Sequence, residues 1–66
     1  MSVFLKLKAV AVETSIGAST LEKMVARGDF PKPVKIGGSN RWVASEVSNW
    51  IEQKIAERDA VAGGAQ

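Results

Sequence analysis

The spacing of apolar residues changes its period along this chain, and each change marks an element. Leu7, Val10, Ala11 and Thr14 recur at helical intervals, which predicts a short helix from about Lys8 to Thr14 that buries Val10 and Ala11. Ser15-Ile16-Gly17 then break the pattern. The glycine is expected to relieve the backbone at a tight turn, with Ile16 pointing inward between two helices, as the turn of a helix-turn-helix requires. In the next run Leu21, Met24 and Val25 share one face, while Thr20, Glu22, Lys23, Ala26 and Arg27 lie elsewhere. Gly28 follows the last periodic position, where a helix stops readily.

Pro31 and Pro33 fix their own dihedrals and push Phe30 and Lys32 toward extended backbone, so no helix continues there and Phe30 is left as an apolar plug under the helix end. Val34 and Ile36 alternate with Lys35, and Trp42 follows Arg41, the period of two expected of a half-buried hairpin. Gly37-Gly38-Ser39-Asn40 would supply its turn, with Val34, Ile36 and Trp42 packing inward. Ser45 has the character of a helix N-cap with Glu46 in the first turn, and Val47, Trp50, Ile51 and Ile55 form an apolar stripe behind it. The expected fold is α+β: helix-turn-helix, a two-stranded wing, then a packing helix. One domain over residues 1–58 accounts for these patterns, and residues 59–66 read as a flexible tail with little to bury.

Composition narrows the chemistry. A chain of 66 residues buries only about 60% of the surface its unfolded form exposes, so its core is small. It has neither cysteine nor histidine, which removes disulfides, thiol nucleophiles, imidazole bases and the usual zinc ligands. No catalytic residue, metal site or cofactor is expected. Two lysines interrupt the apolar Val3–Lys8 segment, and no stretch approaches the about 20 apolar residues of a membrane helix, so the expectation is a cytoplasmic protein with no membrane partner.

Charge gives the pattern a direction. Residues 1–43 hold seven basic and three acidic residues, a net charge of +4, and residues 44–66 hold two basic and four acidic, a net charge of −2. Positive charge therefore gathers on the two helices and hairpin, the part that would face a polyanion. Thr20, Lys23 and Arg27 fall on one stripe of the second helix, and phosphate contact by Lys23 and Arg27 is favoured over an ordinary solvated face because the basic wing should lie on the same side. Lys35 and Arg41 flank the hairpin turn and could reach DNA together. Ser19 and Glu22 also match a capping box, which gives Glu22 a structural alternative to a role on DNA. Gly37-Gly38 lack the Gly-Lys-Ser/Thr that a nucleotide loop needs, and both tryptophans, like Met24, are better explained as packing than as base-stacking platforms.

Taken in order, Val10-Ala11, Thr14, Ile16, Ser19-Thr20-Leu21, Ala26 to Lys35, Arg41-Trp42 and Ser45-Glu46-Val47 with Trp50 resemble the AlpA-type phage transcriptional regulators and related small excisionases. That family is similar in fold to the winged DNA-binding domain of MerR proteins. The resemblance implies a bacterial or phage-encoded protein, nucleoid-associated when bound, that regulates transcription or directs recombination by binding double-stranded DNA. By position it implies a second helix entering the major groove through Ala18, Ser19, Thr20, Glu22 and Lys23, with Arg27 near the backbone. The wing would contribute Lys35, Ser39, Asn40 and Arg41. A recombinase or integrase is the implied protein partner. The chain is expected to be a monomer in solution that loads cooperatively on DNA, with the tail or the acidic face of the last helix as contact surfaces. It departs from the family where serine, arginine and tyrosine are expected, at Gly17, Ala18 and Glu22. Alanine cannot supply the bidentate guanine contact of an arginine. These departures carry the alternative of a protein-interaction adaptor on a winged-helix scaffold that has lost base-specific readout.

Overall fold

The computed structural model describes residues 3–64, with side chains out to residue 61. In chain order the elements are β1 Phe4–Leu5, α1 Leu7–Thr14, α2 Ala18–Arg27, β2 Val34–Ile36, β3 Ser39–Val43 and α3 Ala44–Gly64. The strands form one antiparallel sheet in the order β1-β3-β2. This is the small α+β fold expected, a helix-turn-helix followed by a hairpin and a packing helix. The strand β1 is an addition to the expected two-stranded wing: Phe4 pairs with Val43 and Leu5 with Trp42. Two residues are too few to show a period, so only the pairing reveals them.

Five residues form the buried core, and each comes from a different segment. Val10 belongs to α1, Leu21 to α2, Phe30 to the loop after α2, Trp42 to β3 and Val47 to α3. Leu5, Leu7, Ala11, Ile16, Met24, Val25, Trp50 and Ile51 close around them, half-buried. Each helix and the central strand β3 is thus tied to the centre by one side chain.

The turn between α1 and α2 differs from expectation in its strained residue. Ser15 carries the left-handed backbone, at φ 58°, whereas Gly17 is extended at φ −62°. Thr14 explains how serine is held there: its hydroxyl donates to the Val10 carbonyl at 2.8 Å and accepts the Ile16 N–H at 3.3 Å. Gly28 does end α2 as expected, at φ 83°, with its own N–H donating to Val25 and that of Asp29 donating to Met24. The expected capping box does not form. Helix α2 begins at Ala18 with Gly17 at its N-cap and no side-chain cap bond, so Ser19 sits one residue inside the helix and Glu22 is left exposed. Likewise β3 runs straight into α3 at Ala44, whose N–H donates to the Val3 carbonyl at 2.7 Å, and Ser45 is an interior residue rather than the cap.

Helix α3 continues as helix to Gly64, beyond the Asp59 position where the folded part was expected to end; Ala65 and Gln66 of the expected tail lie outside the described residues. No helix among the described residues is long and apolar enough to cross a membrane.

The segment joining α2 to the hairpin is held from three sides. Phe30 is buried and meets Trp50 edge to face at a centroid distance of 4.8 Å. The Trp50 indole donates to the Asp29 carbonyl at 2.9 Å and the Trp42 indole to the Pro31 carbonyl at 2.8 Å. Phe30→Ala should cost about 3–5 kcal/mol, comparable to the roughly 3–10 kcal/mol that a domain of this size has in all. Trp42→Phe keeps an aromatic ring in the core but loses the indole donor and some ring volume, and should cost about 1–3 kcal/mol. Thermal unfolding followed by circular dichroism should rank native above W42F above F30A, and native-like melting of W42F would refute the role of the indole bond.

Candidate nucleic-acid interface

The outer face of α2 is fixed by the burial of its inner one. Leu21 is buried with Met24 and Val25 half-buried, and Ala18, Ser19, Thr20, Glu22, Lys23, Ala26 and Arg27 are all exposed. At about 100° per residue the exposed positions fall into three rows. Ser19 and Lys23 run down the middle with Ala26, Thr20 and Arg27 lie on one flank, and Ala18 and Glu22 lie on the other. The helix therefore presents a cationic side and an alanine–glutamate side. The Arg27 guanidinium pairs with the Asp29 carboxylate at 3.1 Å, both side chains being more than half exposed. Such pairs are worth about 0–1 kcal/mol and exchange readily for another anion.

The hairpin turns in two residues rather than four. Gly37 and Gly38 have φ of 57° and 81°, the left-handed pair of a type I′ turn. Ser39 and Asn40 belong to β3, opposite Ile36 and Lys35, and Arg41 stands opposite Val34. Because side chains alternate across a strand, this register sorts the wing into two faces. Lys35 and Asn40 share the side of Trp42, whereas Ser39 and Arg41 share the side of Val34 and Ile36. Lys35 and Arg41 thus leave opposite faces and do not act as one cluster, contrary to expectation. The period of two already contained this for a turn of two or four residues, since either places Lys35 on the face of Trp42.

Val34 and Ile36 do not pack inward either. They are 43% and 42% exposed, because the sheet has its helices on one side only. Arg41 is half-buried among them, and its guanidinium donates to the Asn40 carbonyl at 3.0 Å. Lys32, exposed between the two prolines, is a basic residue beside the wing that motif spacing did not single out.

These features lie inside one segment with known kin. The sequence profile of the family described as Prophage CP4-57 regulatory protein (AlpA) matches residues 3–55. The chain belongs to the AlpA family of phage regulatory proteins. Uncharacterized protein ORF88 of Enterobacteria phage P4 is 36% identical over 56 residues, which is 83% of this chain and 64% of the phage protein. The chain therefore spans a little under two thirds of that relative's length. No solved structure matches it. The AlpA match runs from β1 through the helix-turn-helix and hairpin and ends at Ile55, beside the last half-buried positions of α3.

The turn geometry gives a direct check on the wing of this AlpA-family protein. Gly37→Asn creates the Asn-Gly pair that type I′ turns favour and should leave stability unchanged or raised. Gly38→Ala forces a β-carbon into left-handed backbone and should cost roughly 1–2 kcal/mol. Urea denaturation of the two variants measures both, and equal effects would mean that the hairpin does not turn through these two residues.

Proposed function

We propose that this AlpA-family chain is a duplex-DNA-binding regulator of the phage or mobile-element type, without catalysis, acting as a transcriptional regulator or excisionase. In this reading residues 1–58 are the binding unit. Helix α2 enters the major groove, with Ser19 and Thr20 nearest base edges and Ala18 and Glu22 beside them. Lys23 and Arg27 contact phosphates, and the hairpin lies along the adjacent groove or backbone through Lys35, Ser39, Asn40 and Arg41. The protein is a monomer in solution that loads cooperatively on neighbouring sites, with a recombinase or integrase as partner in the excisionase role.

The observation that carries the reading is the cationic flank of α2 standing on an uncapped helix start. Lys23 and Arg27 are exposed and have no part in the core. With no side chain capping α2, its first-turn N–H groups are available to a phosphate, and the helix dipole favours the same anion. The exposed Glu22, free of a capping box, favours the adaptor reading instead, since a carboxylate on the leading helix repels phosphates.

Two measurements separate the readings. With roughly four or five phosphates neutralised, log affinity for duplex DNA should fall against log salt with a slope of about −4, measured by fluorescence anisotropy. A slope near zero contradicts the DNA reading and leaves the adaptor. The double variant Lys23→Ala/Arg27→Ala should weaken binding to all sequences alike and reduce the slope by about 2. Unchanged affinity in that variant would remove these two residues from the interface.

A further inference from the structure

Helix α3 outruns the domain it packs on. Val47 is buried, Trp50 and Ile51 are half-buried, and every residue from Glu52 to Val61 is exposed. The projection makes the molecule long, with principal extents of 49, 26 and 17 Å and a radius of gyration of 13.3 Å, against about 11 Å for a compact chain of this length. Lys54, Ile55 and Arg58 still line a groove beside Glu13, Thr14 and Ile16, but an isolated helix shorter than about 12–15 residues is marginal in water, so the turns beyond them gain little by being helical alone. Most of this end also lies beyond residue 55, where the AlpA match stops.

A second uncovered surface lies near the start of the chain, in the groove between β1 and α1. Phe4, Leu5, Lys6, Lys8, Ala9 and Val12 line it. Val12 is 76% exposed and Phe4 43%, large values for apolar side chains that sit together. The lining has two lysines and no carboxylate, and neither lysine has an ion-pair partner among the described residues.

Residues 52–61 of α3 hold Glu52, Glu57 and Asp59 against Lys54 and Arg58, a net charge of −1 opposite in sign to the two lysines of the groove. Glu52 and Asp59 are seven residues apart, two turns, and so fall on one side of α3 about 10 Å from each other, with Ile55 and Ala56 between them. Glu52 has no ion-pair partner among the described residues, and Asp59 is held only by its exposed neighbour Arg58 at 2.8 Å. Pairing either surface with its own copy would set lysine against lysine or carboxylate against carboxylate. Pairing one with the other satisfies both and covers the apolar residues of each.

We infer that the projecting end of α3 in one copy docks in the β1–α1 groove of the next, with Glu52 and Asp59 toward Lys6 and Lys8 and Ile55 toward Phe4 and Val12. The contact is heterologous, so each copy offers one of its surfaces to the next and the contact can repeat along a row of copies. It gives the cooperative loading proposed above a physical contact and rests on that reading only for its use on DNA. The contact itself is tested without DNA, so loss of DNA binding leaves the test intact.

The chain has no cysteine, so Ala60→Cys provides a single attachment point for a nitroxide on the exposed side of the projecting helix, away from the docking face. Mixed at high concentration with ¹⁵N-labelled native copies, the nitroxide copy should broaden the amide signals of residues 4–12 in the labelled copy. Lys6→Glu/Lys8→Glu in the labelled copy should abolish that broadening, and Glu52→Lys/Asp59→Lys in the nitroxide copy should restore it. The second pair, placed alone against a native labelled copy, should also abolish it and involves only exposed side chains. No broadening, broadening centred on α3 of the labelled copy, or broadening that survives either charge reversal would each overturn the inference. The first of these would leave an acidic segment of another protein as the occupant of the groove.

Discussion

Trp42 and Trp50 come from different elements and donate their indole N–H groups to the same stretch of backbone, at the carbonyls of Pro31 and Asp29. Phe30 lies between those carbonyls, buried and edge-on to Trp50. Proline on both sides of Lys32 keeps the chain extended as it leaves this grip. The arrangement fixes where the hairpin starts relative to the end of α2, and the direction of everything after Phe30 follows from it. Lys54 adds a cation over the Trp50 ring at 5.5 Å, partly covering the ring on its open side. The Pro31 carbonyl is part-buried, and left without its indole partner it would carry a desolvation cost of up to about 1–3 kcal/mol. Among the described residues only five are buried in the core, so that is a large share of the stability.

The same economy explains what was legible in the residues and what was not. Helices α1 and α2 could be placed because Val10, Leu21, Met24 and Val25 repeat at a helical period, and the end of α2 because only glycine enters left-handed backbone freely. The Phe30 plug was legible for a related reason, as the single large apolar residue between a helix stop and two prolines. Strand β1 was not, since its two residues are recruited by pairing with Trp42 and Val43 rather than by their own pattern. Ser15 was missed because its strained φ is held by the Thr14 side chain, a contact that exists only once the turn has formed.

The wing shows a further limit. Alternation told which residues share a face of β2 and β3, but which face is covered depends on how many layers the domain has. A larger protein would place a second layer over Val34 and Ile36; here the helices lie on one side, and the other stays open. The four wing residues singled out as one group are consequently divided, Lys35 and Asn40 on the side of Trp42 and Ser39 and Arg41 on the side of Val34 and Ile36. A hairpin divided in this way meets DNA with its tip or one edge more readily than with a whole face.

That division bears on how an AlpA-type domain of this size reaches useful affinity. A single small module buries roughly 600–1,000 Å² on DNA, and on the proposed reading the wing would offer its cations in two directions while Ala18 of α2 could not supply the bidentate guanine contact of an arginine. Each copy would then have few base-specific contacts and a phosphate term that is blind to sequence. Specificity in such a case rests on the arrangement of several weak sites more than on any one of them, because correct spacing lets adjacent copies touch. For linked binding events the second copy binds at an effective concentration set by the geometry of the first, and even a weak protein contact then multiplies the preference for correctly spaced sites. On the proposed reading, an α3 that projects from the domain, with a net charge of −1 over residues 52–61, would stand clear of the polyanion and be free to make that contact.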